Sequence, residues 1–493
     1  MGVVSLWDLF TSSAATHRGF VALEAEGRRL TYAELARAAE RVAGLVGRAN
    51  GGPPARLGLL AARGVVAFTG YLAAVRLGAA VVPLNPAFPR ARNELFARAA
   101  GVDLVLADAA DTAQLSALGG GLALTPDEAL TGPVAPAPAR DDPDPLVYVV
   151  STSGSTGRPK GVPIRWRNLL PWLRFNGPRR GMAAGDRVSQ TFDLTFDPSV
   201  ADMWLAWTAG ATLVVPEPHE VLKPVGYVRD RRITHWWSVP STIAVAERLE
   251  GLEPGSMPTL RRSVFGGDRL LPGQAARWRR AAPNSRLLNS YGPSEVTISV
   301  SRHELTGDED GLPTVPIGRI YPHMEHVVLD EDGRPAPVGE LCVRGPQRFD
   351  GYLDPADNAG RFTAWEGGRA RVFEDRVPTD RHWYRTGDRV AEENGRLLFL
   401  GRVDNQVKIR GYRIEPGEVE SVLCRHPDVR DAVVNAVTQS DRTDLVARYT
   451  GNPVPVSHLI DLVREHLPPY MLPHRFEHCD ELPLSPNGKI LRT

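Results

Sequence analysis

The chain has 493 residues, a formal net charge of zero, 42% hydrophobic and 24% charged content. That length exceeds what one core ordinarily serves, so two or more domains are expected. The neutral balance gives no long-range pull toward nucleic acid or an anionic membrane, and three scattered cysteines, Cys342, Cys424 and Cys479, form no metal-ligand spacing and suit a reducing cytoplasm.

The N-terminus, MGVVSLWDLF, lacks the basic stretch and apolar run of a secretory signal. Its first 130 residues alternate helical patterns such as Tyr32–Val46 with short apolar runs such as Leu57–Leu60 and Ala80–Leu84. This alternation predicts α/β layering on a parallel sheet. The apolar window Gly64–Leu84 carries Arg76 and breaks at Gly78 and Pro83, so it reads as a buried helix and strand rather than a membrane span. Residues 132–145 form a Pro- and Asp-rich connector, and the strand LVYVV follows it.

After that strand comes STSGSTGRPKG, Ser151 to Gly161. Its glycines permit left-handed backbone and close approach, and its hydroxyls and N–H groups can cradle phosphate oxygens. A plain surface turn would read the same way. The run is not the P-loop of NTPases, because Pro159 and Gly161 stand where that motif needs Gly and Ser/Thr. Further α/β alternation runs to about residue 300, short strands and turns dominate Pro316–Leu400, and a strand–helix segment of about ninety residues begins near Asp404. Only four lysines, Lys160, Lys223, Lys408 and Lys489, stand against fifty-four arginines. A lysine kept in such a chain is a candidate for a role a planar guanidinium cannot fill, although chance survival explains any one of them.

Here the motifs become specific. YVVSTSGSTGRPKGV resembles the phosphate-loop signature of the adenylate-forming superfamily of nonribosomal peptide synthetase adenylation domains, acyl-CoA synthetases and luciferases. LTYAEL, RLGAAVVPLNP, NSYGPSE, GELCVRG, YRTGD, GRVDNQVKIRGYRIEPGEVE, LPPYMLP and NGK resemble that superfamily's other motifs, in its order, from about residue 30 to the last few residues. The fold so implied is α/β. A large core domain over residues 1–402 would hold two doubly wound sheets and a small β-rich subdomain, and a mobile α+β lid domain would cover residues 403–493.

The resemblance implies residue roles. Thr152, Ser153, Gly154, Ser155, Thr156, Gly157 and Lys160 would embrace the phosphates of ATP, with Glu295 holding Mg²⁺ as a hard cation. Adenine would lie between Tyr291 and the Gly266–Gly267 turn, with Asn289, Ser290, Gly292 and Ser294 nearby. Asp388 would accept from both ribose hydroxyls, as a carboxylate can, supported by Arg402. Where the family usually has Glu after this Gly-Gly turn, the chain has Asp268. Lys489 matches the catalytic lysine that contacts substrate carboxylate and α-phosphate. Asp404 matches the hinge, about which the lid would rotate so that the segment around Lys408–Arg413, with Gly411, replaces Lys489 at the site and lines a thiol tunnel.

By resemblance Asp197 in FDLTFDPSV pairs with the α-ammonium of an amino acid; a helix N-cap is its alternative role. Pro198, Ala201, Ser238, Ser263, Phe265, Ser290, Ile298 and Ser299 would line the rest of the pocket, with Phe265 limiting its size. No other charge would face a side chain there, which favours a small neutral amino acid such as alanine, serine or glycine. The chain stops four residues after Lys489, so a freestanding enzyme loading a carrier protein's phosphopantetheine in trans, or coenzyme A, is expected. The alternatives are a D-alanine–carrier protein ligase, an acyl- or aryl-CoA synthetase, and a non-catalytic nucleotide-binding protein on the same fold. A luciferase-like oxygenase is disfavoured, since nothing marks an oxygen-chemistry site. The expected setting is cytoplasmic, without nucleic acid or membrane partners.

Overall fold

Thr31 accepts the backbone N–H of Glu34 while Glu34 reaches back to Thr31, so a capping box starts the long helix Tyr32–Asn50, and Gly51 in left-handed conformation ends it. The helix Val65–Leu77 is buried almost all round and ends on left-handed Gly78, directly before the fully buried strand Ala80–Leu84. These elements belong to a computed structural model that describes residues 5–135, 137–153, 158–309, 311–374, 377–439 and 442–482.

Three sheets build the larger part. A six-stranded sheet runs in the order Gly121–Leu124, Leu104–Asp108, Arg56–Leu60, Ala80–Leu84, Leu146–Thr152, Lys160–Arg165, parallel except for its last pair. A nine-stranded sheet has a parallel centre, Arg286–Tyr291 beside Arg262–Gly266 beside His235–Ser238, and antiparallel pairs at both edges. A third, antiparallel sheet of six strands spans Glu325–Arg402 and is the β-rich subdomain expected from the sequence. The main core lies between the first two sheets and extends into the third.

The smaller C-terminal part has its own core from Ile409 to Met471, around the helices Pro416–Leu423 and Val456–His466 and a three-stranded sheet. Contacts with the larger part include the buried pair in which Arg92 Nη1 donates to Glu418 Oε1 at 2.6 Å, and Phe196, which stands edge-on to Tyr412 beside the stack of Tyr412 on Tyr470. No helix among the described residues is long and apolar enough to cross a membrane.

Candidate active site

The parallel strands deliver their C-terminal ends to one crevice, the usual place for ligands on an open α/β sheet. There a cavity of about 110 Å³ is walled by Thr152 and Ser153, Asp197 and Pro198, Trp237, Gly266 and Gly267, and by Ser290, Gly292, Pro293, Ser294 and Ile298. Asp388 and Arg402 come from the third sheet, while Lys408, Gly411, Arg413 and Tyr470 come from the C-terminal part. A narrower chamber adjoins it between Gly267, Asn289, Tyr291, Phe399 and Lys408. Residues separated by more than three hundred positions therefore meet in one place.

Asp388 gathers partners from three elements. Its Oδ2 accepts from the Tyr291 hydroxyl at 2.6 Å, its Oδ1 from Arg402 Nη1 at 2.7 Å, and Lys408 Nζ lies 3.8 Å away. Burial works to raise its pKa, but Lys408 and Arg402 outweigh burial and hold the carboxyl below its ordinary range. Lys408 sits over the Tyr291 ring at 5.5 Å and the Phe399 ring at 5.4 Å. Burial lowers its pKa, partly offset by Asp388. Arg402 also grips Asp404 with two bonds of 2.6 Å.

Glu295 is fully buried. Both its oxygens accept from Arg413 Nη1, and Tyr352 donates to Oε1 at 2.6 Å. Burial opposes ionisation, yet Arg413 first and Tyr352 next keep its pKa below the usual value. Lys160 approaches the same Tyr352 from its ring face, at 5.3 Å, and pairs with Asp357 at 3.1 Å. Lys160 and Glu295 thus flank one tyrosine without lining the cavity. Ser153 donates to the Arg413 carbonyl at 2.8 Å. Gly154, Ser155, Thr156, Gly157 and Lys489 lie outside the described residues.

A single buried carboxylate suits a cation that keeps most ligands from phosphate and water, as Mg²⁺ does. Among the described residues no group of three acidic, His or Cys side chains offers a closed metal cage. The donor set is compatible with a metal carried in on phosphates.

Asp197 precedes the helix Pro198–Thr208 but makes no side-chain cap hydrogen bond, so the cap alternative fails. Its Oδ2 accepts the Ile298 N–H at 3.0 Å. Burial pushes the carboxyl up to about 6, and the Ile298 N–H and Ser294 hydroxyl pull the other way. Ser290, also on the wall, has a buried hydroxyl without a partner among the described residues.

Four of the expected pocket residues, Asp197, Pro198, Ser290 and Ile298, line the cavity. Ser238, Ser263 and Phe265 do not, and the reason is strand register. Trp237 pairs with Val264, which pairs with Leu288, so these three share one face, toward the main core. Their neighbours Trp236, Phe265 and Leu287 face the second core. Phe265 packs edge-on against Trp278 at 5.3 Å with no exposure. Ser263 bonds Ser285 and Trp278, and Ser238 accepts from Trp236. Ser299 accepts from Trp172, and Ala201 is buried in the main core, so neither lines the cavity.

The bulky wall residue is therefore Trp237, which sequence counting missed by one position. Arg413 closes the Lys408–Arg413 segment expected at the site. Phe399 and Tyr470 were not singled out: Tyr470 stands in LPPYMLP, where the motif was the available signal, and Phe399 stands in none.

Comparison with known proteins agrees with this geometry. Residues 10–353 match the family described as AMP-binding enzyme, and residues 418–489 match the AMP-binding enzyme C-terminal domain. The chain belongs to the AMP-binding enzyme family and is an adenylate-forming ligase of the nonribosomal peptide synthetase adenylation type. It is 36% identical to an isonitrile lipopeptide synthase of Streptomyces coeruleorubidus, covering 98% of this chain and 33% of that protein. It spans only about a third of that relative. Among solved structures it is similar to the Vibrio cholerae adenylation domain AlmE in complex with glycyl-adenosine-5'-phosphate, with a TM-score of 0.84, 27% identity, and coverage of 99% of this chain and 96% of the other. It is also similar to holo-PA1221, an NRPS protein containing adenylation and PCP domains, with a TM-score of 0.81, 26% identity, and coverage of 99% and 83%.

Proposed function

We propose that the chain activates a small neutral amino acid with ATP and passes it to the phosphopantetheine thiol of a carrier protein offered as a separate molecule. In the first step a substrate carboxylate oxygen bonds the α-phosphorus and the bond to the β-phosphate oxygen breaks, releasing pyrophosphate. In the second the thiol sulfur bonds the acyl carbon, AMP leaves with the former carboxylate oxygen, and the thiol proton passes to solvent.

The observation that carries the amino acid reading is Asp197. A buried carboxylate on the cavity wall, with one backbone N–H and one hydroxyl but no cation paired with it among the described residues, needs a positive partner. An ammonium supplies it; a fatty or aryl acid would leave it unpaired. The small size rests on Trp237, clamped between Trp172 stacked at 6.3 Å and the Arg180 guanidinium at 4.6 Å. The glycyl adenylate bound by AlmE accords with such a pocket.

For the nucleotide, the chamber between Tyr291 and Gly267 would take adenine. Asn289 spends its amide nitrogen on the Val315 and Pro316 carbonyls, leaving its carbonyl oxygen for the base amino group. Asp388 would bind ribose once Lys408 withdraws. Glu295 would hold Mg²⁺, which supplies Lewis-acid charge at the phosphates when bound. Arg413 on Glu295 and Lys408 on Asp388 support a reading in which this arrangement of the C-terminal part serves thioester formation. Lys489 would serve the adenylation arrangement.

Pyrophosphate exchange across D-, L- and β-amino acids tests the reading, with a small neutral side chain expected to dominate. Preference for an aromatic or charged side chain would overturn it. Coenzyme A consumption with a fatty or aryl acid would favour the acyl-CoA synthetase alternative, and loading of a purified holo-carrier reads the thiol partner.

A further inference from the structure

Two consecutive β-branched residues, Thr297 and Ile298, hold φ of 62° and 67°. L-residues with branched side chains avoid this left-handed region, so neighbouring contacts must impose it. The imposed turn has one result: it aims the Ile298 N–H at the Asp197 carboxylate, 3.0 Å away. Ile298 itself stands on the cavity wall.

The contacts that impose the turn converge on Gln347, which is fully buried and follows the strand Val338–Arg344 of the third sheet. Its Nε2 donates to the carbonyls of Val296 at 3.0 Å and Ser299 at 2.8 Å, on either side of the strained pair. Its backbone carbonyl accepts the Thr297 hydroxyl at 2.6 Å. Its Oε1 meets His323 Nε2 at 2.5 Å, which requires the hydrogen on that nitrogen. With Oε1 so engaged, Nε2 faces the two carbonyls, and a flipped amide would lose both of those bonds.

We infer that Gln347 is a positioning residue for amino acid recognition: it clamps the 296–299 turn so that the Ile298 N–H orients Asp197 toward the substrate ammonium. The inference rests on the proposed pairing of Asp197 with that ammonium. Gln347 touches neither cavity, so it acts only through the turn.

The test is pyrophosphate exchange with Gln347→Met, which keeps length and removes the amide. The expected result is a KM for the amino acid raised about tenfold, the size of one lost hydrogen bond to a charged group, with kcat and the KM for ATP nearly unchanged. Discrimination between the amino acid and its des-amino analogue should fall with it. Adding Thr297→Gly to Gln347→Met should restore the KM, because glycine holds positive φ without a clamp. A folded Gln347→Met enzyme with wild-type amino acid KM, or one that raises both KM values alike, overturns the inference. If Gln347→Met does not fold, Thr297→Val, which removes the reciprocal hydroxyl bond, must show the same selective KM rise or the inference fails. Asp197→Asn is run beside them: an unchanged amino acid KM in that variant defeats the Asp197 reading itself, whatever Gln347 does.

Discussion

Arg413 Nη1 bonds both carboxylate oxygens of Glu295, at 3.0 and 3.1 Å, across the boundary between the two parts of the chain. Tyr352 takes a further position on Oε1, so in this arrangement Arg413 supplies the positive charge that a metal would otherwise bring. A fully buried carboxylate without a counter-ion is costly. The guanidinium and a metal are thus alternative partners, and arrival of one is linked to departure of the other.

Arg413→Ala is therefore expected to spare pyrophosphate exchange and to slow thioester formation from supplied aminoacyl-AMP. Removing one member of a buried pair costs about 3–5 kcal/mol, so this pose should lose about two to four orders of magnitude in population. Single-turnover loading of a holo-carrier measures this. Equal losses in both half-reactions would contradict it.

Gly411 marks the same docking. Its φ is +81°, and a Cβ built there would lie 2.2 Å from Val239 Cγ1. Gly411→Ala should block the thioester half-reaction by about 10² or more while leaving adenylation intact. Val239→Ala in that background should recover part of the loss, because it removes the clash but not the backbone strain.

Much of this was legible in the sequence because motifs fix local chemistry. Asp388, Tyr291 and Asp197, singled out from their motifs, line the two adjoining cavities, and Lys408 and Arg413 approach Asp388 and Glu295 from the C-terminal part. Pocket lining was less legible. In a strand, a shift of one residue reverses which side chains face the ligand, and the runs WWS and SVFGG hold no alternation of polarity that sets the register. Counting from the motif chose Phe265 and Ser238, whereas pairing of Trp237 with Val264 sets the other face. Gln347 was invisible for another reason: its role depends on a turn fifty residues earlier in the chain.

Trp237 yields the next prediction. Trp172 and Arg180 hold its ring from opposite contacts, and Phe192 meets it edge-on at 6.0 Å, so the wall cannot retreat. Trp237→Leu should move preference toward larger neutral side chains, lowering kcat/KM for the small substrate about tenfold and raising it for leucine or phenylalanine by a similar factor. An unchanged profile would remove Trp237 from the selectivity wall.

The last prediction concerns pH. With burial pushing the Asp197 carboxyl up to about 6, the free enzyme carries a protonated Asp197 below that pH and a carboxylate above it. Only the carboxylate can pair with an ammonium. The KM for the amino acid should therefore fall as pH rises through about 6 and level off above, with a slope near one decade per pH unit on the acid side. The des-amino analogue has no ammonium, so its KM should not improve over the same range. Asp197→Asn should flatten the amino acid profile and raise its KM by about 10² at neutral pH. Pyrophosphate exchange between pH 5 and 8 measures all three, and an amino acid KM that is flat in the wild type would break the link between Asp197 ionisation and substrate binding.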